Sequence, residues 1–124
     1  MADREIMSYE QYLADVKNGI VTDAGNCPVT LLLEKLQGRW KSQVLYELCG
    51  RSPARFGELK RGLPGITGTA LSNVLKELEA DGFVRREQFN EIPPHVEYSL
   101  TEKGADLQPV FYQMMLWGFA HEEA

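Results

Sequence analysis

The sequence predicts a mainly α-helical chain that carries one small β-hairpin, an α+β fold. Over most of the chain, apolar residues recur every three or four positions, which is the spacing of helices with one buried face. Two later segments instead alternate and are rich in Val, Phe and Tyr, as paired strands are: FVRREQF and HVEYSL. A chain of 124 residues fits one compact domain that needs no disulfide or metal.

The first predicted helix spans about Tyr9 to Lys17. Ser8 can cap its start, and the dipeptide Asn18-Gly19 can close it. We assign residues 1–26 to an N-terminal helix and linker that contribute to dimerisation. The apolar stripe of this helix consists of Tyr12, Leu13 and Val16.

Two further helices are predicted before residue 51. The second starts at Pro28 in CPVTLLLEKLQG and ends near Gly38. The third lies in RWKSQVLYELCG and stops at Gly50. Its inward face consists of Trp40, Val44, Leu45 and Leu48.

The next two helices form a candidate helix-turn-helix. A short helix in ARFGELKRGLPG buries Phe56, Leu59 and Leu63 and ends at a strong turn signal, Gly-Leu-Pro-Gly. Thr67 can cap the fifth helix, which runs to about Asp81. Two helices joined by a tight, glycine-containing turn make this motif.

The hairpin and a final helix complete the predicted order. The paired prolines of NEIPP suit an exposed turn between the two strands. Thr101 caps the final helix, which Pro109 should kink or break, and its apolar side chains are Leu107, Val110, Phe111, Met114 and Trp117. The order predicts a winged helix-turn-helix at residues 27–100, flanked by dimerisation helices at 1–26 and 101–124.

Charge is segregated along the chain. The net charge is −5, but residues 34–88 hold ten Lys or Arg and seven Asp or Glu, a net of +3, which leaves −8 for the rest. Salt screens charges beyond about 8 Å in physiological buffer, so a nucleic acid senses the nearby basic patch. An acidic chain can therefore still bind DNA.

Several function classes lack the residues that they need. Two cysteines and two histidines show no metal-ligand spacing, and no nucleophile–base pair or phosphate loop is present, so we expect no metal, no cofactor and no enzyme activity. The opening MADREIMSYEQ lacks a signal-peptide pattern, and no apolar run could span a membrane. We therefore expect a cytoplasmic protein.

The segments from about Cys27 to Gly118 resemble the HxlR family of bacterial transcription regulators. The resemblance rests on CPV, GRWKSQVLYEL, RFGELKRGLPGIT, LSNVLKELEADGFVRRE, PPHVEYSLTEKG and LWG, in that order. It implies a dimeric repressor or activator with the helix from about Gly68 to Asp81 in the major groove and the hairpin as a wing. His95 departs from the family, which commonly has Arg or Lys there, and the outward face of the recognition helix is less basic.

The helix near residue 70 turns small or hydrogen-bonding residues outward, which favours contact with DNA over simple solvation. Asn can pair with adenine, and Lys can reach guanine or a phosphate. The alternative is that these side chains, and the basic ones nearby, form only a solvated surface. The candidate DNA-binding residues are Arg55, Lys60, Arg61, Thr67, Thr69, Ser72, Asn73, Lys76, Arg85, Arg86 and His95.

Aromatic residues at helical spacing usually mean packing, so we assign Trp40, Phe56 and Phe83 to the core. Cys49 is assigned to the core as well. Cys27 stands at a helix start, where the dipole favours the thiolate, and some members of the family use a cysteine there as a sensor. Cys27 is a candidate redox or electrophile sensor; the alternative is an unreactive, partly buried thiol.

The terminal helices carry more apolar side chains than a small winged core can cover. We therefore expect a homodimer that binds double-stranded DNA at a near-palindromic site, with no membrane partner. The alternative function is a winged-helix protein-interaction module that does not bind DNA. The candidate dimer-interface residues are Tyr12, Val110, Phe111, Met114 and Trp117.

Overall fold

The computed structural model describes residues 8–19 and 27–121. The chain divides into two compact units, Met1–Leu36 and Gln37–Ala124. Residues 101–124 group with the winged unit, and the domain boundaries expected at residues 27 and 100 stay a prediction. The linker expected at residues 20–26 lies outside the described part of the chain.

The described residues of the first unit form two short helices, α1 (Tyr9–Lys17) and α2 (Pro28–Lys35). The expected cap of α1 is confirmed, because the backbone N–H of Gln11 donates to Ser8 Oγ at 3.1 Å. Neither helix has a buried residue. The expected stripe of α1 is therefore exposed, and so are large apolar residues of α2: Tyr12, Leu13, Val16, Val29, Leu31 and Leu33.

The second unit has the predicted order of helices, hairpin and terminal helix. Its elements are α3 (Lys41–Arg51), β1 (Ala54–Arg55), α4 (Phe56–Arg61), α5 (Gly68–Ala80), β2 (Val84–Phe89), β3 (His95–Leu100), α6 (Glu102–Ala105) and α7 (Gln108–Ala120). The fifth predicted helix is confirmed within one residue at its end, and the hairpin strands are confirmed by their pairing from Val84↔Leu100 to Phe89↔His95.

Aliphatic side chains from α3, α4 and α5 form the core of this unit. The two helices α3 and α5 pack together and share most of the fully buried leucines. Sequence periodicity predicted these faces correctly, because burial follows the helical repeat. The core residues of the three helices are Val44, Leu45, Leu48, Leu59, Leu71, Val74, Leu75 and Leu78.

The sheet has a third strand that the sequence did not reveal. β1 pairs antiparallel with β3 through Ala54↔Tyr98 and Arg55↔Glu97, so the strand order is β1-β3-β2. A strand of two residues is too short to show an alternating pattern in the sequence. It is recognised as a strand only because it pairs with β3, which lies far along the chain.

Three details differ from the sequence predictions. α3 continues through Gly50 and ends at Arg51, because Ser52 precedes Pro53 and is extended, with ψ 129°. Of the three aromatic residues assigned to the core, only Phe83 is buried, whereas Trp40 and Phe56 are half-buried. Cys49 is also half-buried, so its assignment to the core was wrong.

The terminal helix is broken, as Pro109 predicted. α6 is capped by Thr101 Oγ1, which accepts from the N–H of Gly104 at 3.0 Å. Gly104 of α6 is buried against the backbone of Phe83. A Cβ at Gly104 would collide with the Phe83 carbonyl oxygen, so glycine is required for this close packing. α7 then starts with Pro109 in its first turn, where the missing N–H leaves no helix hydrogen bond unmade.

Candidate nucleic-acid interface

Helix α5 has one buried face and one polar, exposed face. Thr67 Oγ1 accepts from the N–H of Ala70 at 3.0 Å and so satisfies an orphan donor at the helix start. Leucine and valine side chains anchor the inner face in the core. On the other face Thr69, Asn73 and Lys76 are exposed and Ser72 is half-buried. These four residues follow the 3.6-residue repeat and form one continuous stripe.

The turn between α4 and α5 fixes the position of this stripe. Its two apolar residues, Leu63 and Ile66, are buried at 5% exposure each. The Ile66 N–H donates to the Leu63 carbonyl at 3.1 Å, and Gly65 takes a positive φ of 92°, which favours glycine. The turn is thus held by packing as well as by hydrogen bonds, and α5 is oriented by it.

Exposed cations flank the polar stripe along the sequence. Arg55 precedes α4, whose last turn carries Lys60 and Arg61, and all three are exposed. Six Lys and Arg side chains are expected to contact DNA, and none of them forms an ion pair with another described residue. They remain available for phosphates: Arg55, Lys60, Arg61, Lys76, Arg85 and Arg86.

One basic residue near α5 is already engaged. Lys41 Nζ lies 3.6 Å from Glu77 Oε2, and the Lys41 side chain is 15% exposed. This pair links α3 to α5. No sequence pattern predicts this pair, because the two residues are far apart along the chain.

The hairpin separates its two arginines. Neighbouring residues of a strand point to opposite faces, so Arg85 shares a face with Ser99, whereas Arg86 shares the other with Tyr98. The face of Arg86 also carries buried Val84. The two exposed guanidinium groups therefore cannot meet one DNA surface in the same way.

His95 is held within the hairpin. Its ring stacks on Phe89 with centroids 4.8 Å apart, and Nε2 lies 3.1 Å from Glu97 Oε2. The His95 side chain is 15% exposed. These contacts compete with the phosphate contact that its place near the wing tip suggests.

The expected interface residues of α7 fall into two groups. Phe111 is 8% exposed and packs edge-on against Tyr46, with ring centroids 5.9 Å apart, so it belongs to the core of one chain rather than to an uncovered face. Val110, Met114 and Trp117 are 41–59% exposed, as expected of side chains that their own chain leaves uncovered.

The two cysteines have different surroundings. Cys27 occupies the N-cap of α2, makes no side-chain capping hydrogen bond and is half-buried. Burial raises the pKa of the Cys49 thiol, and a hydrogen bond from the Gln108 side chain opposes this only in part. Cys49 is therefore less reactive near neutral pH than an unperturbed cysteine, because a smaller fraction of it is thiolate.

Within the described ranges, no helix is long and apolar enough to cross a membrane. The same residues bring together no group of three His, Cys, Asp or Glu side chains that could hold a metal ion.

A helix that follows a tight turn, exposes a polar stripe and packs beside an antiparallel hairpin with free arginines defines a winged helix-turn-helix, the class of DNA-binding transcriptional regulators. The sequence model of the HxlR-like helix-turn-helix family matches residues 35–124. The chain belongs to this family, which confirms the resemblance seen in its sequence.

Known proteins agree with this assignment. A helix-turn-helix-type transcriptional regulator of Halalkalibacterium halodurans is 41% identical over 116 residues, which cover 94% of this chain and 98% of that relative. The redox regulator HypR in its reduced form has a TM-score of 0.70 and 43% identity, over 77% of this chain and 93% of its own. The reduced transcriptional regulator YodB of Bacillus subtilis has a TM-score of 0.68 and 38% identity, over 74% and 90%.

Proposed function

We propose that two copies of this chain bind a near-palindromic DNA site in the cytoplasm, with α5 in the major groove and the β2–β3 hairpin as a wing. The observation that carries this proposal is the polar stripe of α5, in which the short side chains of Thr69, Ser72 and Asn73 lie beside one exposed cation. That cation, Lys76, has no partner among the described residues. Short polar side chains such as Asn can hydrogen-bond to base edges, and Lys can reach guanine or a phosphate.

The basic residues supply the affinity that the stripe lacks. One lysine on the reading face gives little attraction to phosphates, so Arg55, Lys60 and Arg61 at α4, with an arginine of the hairpin, would provide most of it. Acidic residues elsewhere in the chain limit non-specific binding. Such a protein binds its site with strong dependence on salt.

Dimerisation follows from the composition of α7. Exposed large apolar residues occur on all sides of this helix, and a helix that is apolar all round is normally buried. A second copy is the simplest cover, and a two-fold axis would place half-sites about 34–36 Å apart or at a multiple of that distance. Light scattering should give the dimer mass, and a monomer mass throughout the micromolar range would contradict this part.

The DNA proposal is tested by protection mapping of duplex DNA near the gene for this protein, followed by anisotropy titration. The protected duplex should bind at least about a thousandfold more tightly than a shuffled duplex of equal length. If neither duplex binds in a salt-dependent way, the chain is a protein-interaction module instead.

We also propose that Cys27 is the thiol through which oxidants or electrophiles alter DNA binding. Three features support this: its place at the start of α2, the raised pKa of Cys49, and the likeness to the redox regulator HypR. Diamide or a quinone should release wild-type protein from DNA and leave Cys27→Ser bound, with Cys49→Ser as the matched control. Equal sensitivity of Cys27→Ser and wild type would refute the role of Cys27.

A further inference from the structure

A cavity of about 470 Å³ opens between α3, the α4–α5 turn and α7. Its walls are mostly apolar and aromatic: Tyr46, Leu63, Phe111, Met114 and Met115. Tyr46 Oη lies 4.0 Å from Met115 Sδ, and the Tyr46 ring packs on Phe111, so α3 and α7 are joined at the rim. Methionine side chains adapt to ligands of different shape. This volume lies within the usual range of small-molecule sites, about 300–1,000 Å³.

Two polar side chains of the cavity, Gln43 and Glu47, each offer an acceptor oxygen. The amide nitrogen of Gln43 donates to the Arg39 carbonyl at 3.2 Å, and no described residue donates to its side-chain oxygen. Glu47 Oε2 pairs with Arg51 Nε at 2.8 Å, whereas no described residue donates to Glu47 Oε1. The Glu47 side chain is 21% exposed. A carboxylate with a free oxygen in an apolar cavity favours a cationic donor over an anion.

Glu47 also touches the turn that precedes the recognition helix. Gly62, the first residue after α4, has a φ of −79°, which any residue can adopt. A Cβ on this residue would meet the end of the flexible Glu47 side chain, so the Glu47 carboxylate lies directly against Gly62. Gly62 and Leu63 both line the cavity. A molecule held by Glu47 would therefore press on the turn that orients α5.

We propose that this cavity binds a one- or two-ring aromatic molecule with a protonated amine, and that its binding weakens DNA binding by shifting the α4–α5 turn. The regulatory half rests on the proposed function; the binding half does not. Of the interface residues Val110, Met114 and Trp117, only Met114 lines this cavity, so the second copy proposed above covers mainly other parts of α7. Interface cores are also depleted of charged residues such as Glu47.

The test uses two probes with the same ring and opposite charge, 1-naphthylmethylamine and 1-naphthoate, titrated into the full chain without DNA. The amine should bind about tenfold more tightly or better, which is the effect of one charge-assisted hydrogen bond. Glu47→Gln should remove this preference, while Glu91→Gln, an exposed acid in the hairpin turn, should keep it. Equal binding of both probes, or no binding, would overturn the proposal.

A second variant distinguishes a small molecule from a second copy of the chain as the occupant of the cavity, and its fold can be checked independently. Ser42→Phe, from an exposed position on the cavity wall, should fill the space and weaken amine binding about tenfold while far-ultraviolet circular dichroism and dimer mass stay unchanged. Loss of the dimer in Ser42→Phe would mean that a second copy occupies the cavity, which overturns the small-molecule proposal.

The regulatory half is measured with the protected duplex. Saturating amine should weaken DNA binding about fivefold or more in wild type and not in Ser42→Phe, and bound DNA should weaken amine binding by the same factor. Amine binding with unchanged DNA affinity would refute the coupling. A chain that binds the amine but no DNA would refute the proposed function and leave the cavity site standing.

Discussion

Helices α5 and α7 have the same length, 13 residues, but opposite distributions of apolar surface. α5 buries Leu71, Val74, Leu75 and Leu78 and leaves a polar stripe exposed. α7 buries only Phe111, while Tyr112, Met114, Trp117 and Phe119 are 58–69% exposed. The fold of one chain therefore buries the whole apolar face of α5. α7 needs a further surface, so the two helices should respond differently to mutation and to protein concentration.

The largest effect is expected at the buried face of α5. Leu75→Ala removes a side chain that is 1% exposed and should lower the free energy of unfolding by about 2 to 5 kcal/mol, through lost burial and the cavity left behind. Urea denaturation at two protein concentrations measures it. A loss below about 1 kcal/mol would show that Leu75 is not tightly packed in the core.

Trp117→Ala tests the opposite case on α7. A tryptophan that is 59% exposed in one chain adds little to its fold, but as an interface anchor it should weaken the dimer by about 2 kcal/mol or more, close to thirtyfold in the dissociation constant. Sedimentation equilibrium measures the constant, with the polar neighbour Gln113→Ala as control. If both variants dissociate alike, Trp117 is not an anchor.

The polar face of α5 should affect binding and not folding. Asn73→Ala, at an exposed position, and Ser72→Ala, at a half-buried one, each remove a short polar group. At least one should lower affinity for the protected site by about 1 to 3 kcal/mol and leave binding to a shuffled duplex nearly unchanged. Anisotropy titrations on both duplexes test this. Retained discrimination in both variants would mean that the stripe does not read bases.

The smallest effect is expected at the hairpin. Arg85 and Arg86 lie on opposite faces of β2, so only one of them should touch a phosphate. Replacing the arginine that touches the phosphate with Ala should weaken specific and non-specific binding together. It should also reduce the slope of log affinity against log salt by about one. Arg51→Ala, which removes a cation already paired with Glu47, is the control. Unchanged slopes in both hairpin variants would exclude the wing from phosphate contact.

Local sequence determined the helices and their caps. The caps at Ser8, Thr67 and Thr101, the break at Pro109 and the buried stripe of α5 follow from contacts within three or four residues, which sequence spacing reports directly. The same patterns predicted the hairpin and the polar stripe beside it. The winged helix-turn-helix was therefore predictable, whereas its contacts with DNA stay predictions.

Tertiary structure decided what depends on partners distant along the chain. The pairing of β1 with β3, the Lys41–Glu77 ion pair, the burial of Phe111 and the hold of Phe89 and Glu97 on His95 have no local signal. The contact of Glu47 with Gly62 is of the same kind, because the two residues belong to different parts of the chain and meet only in the packed fold. Periodicity states which side of a helix is apolar, and only the packed chain determines whether that side is covered.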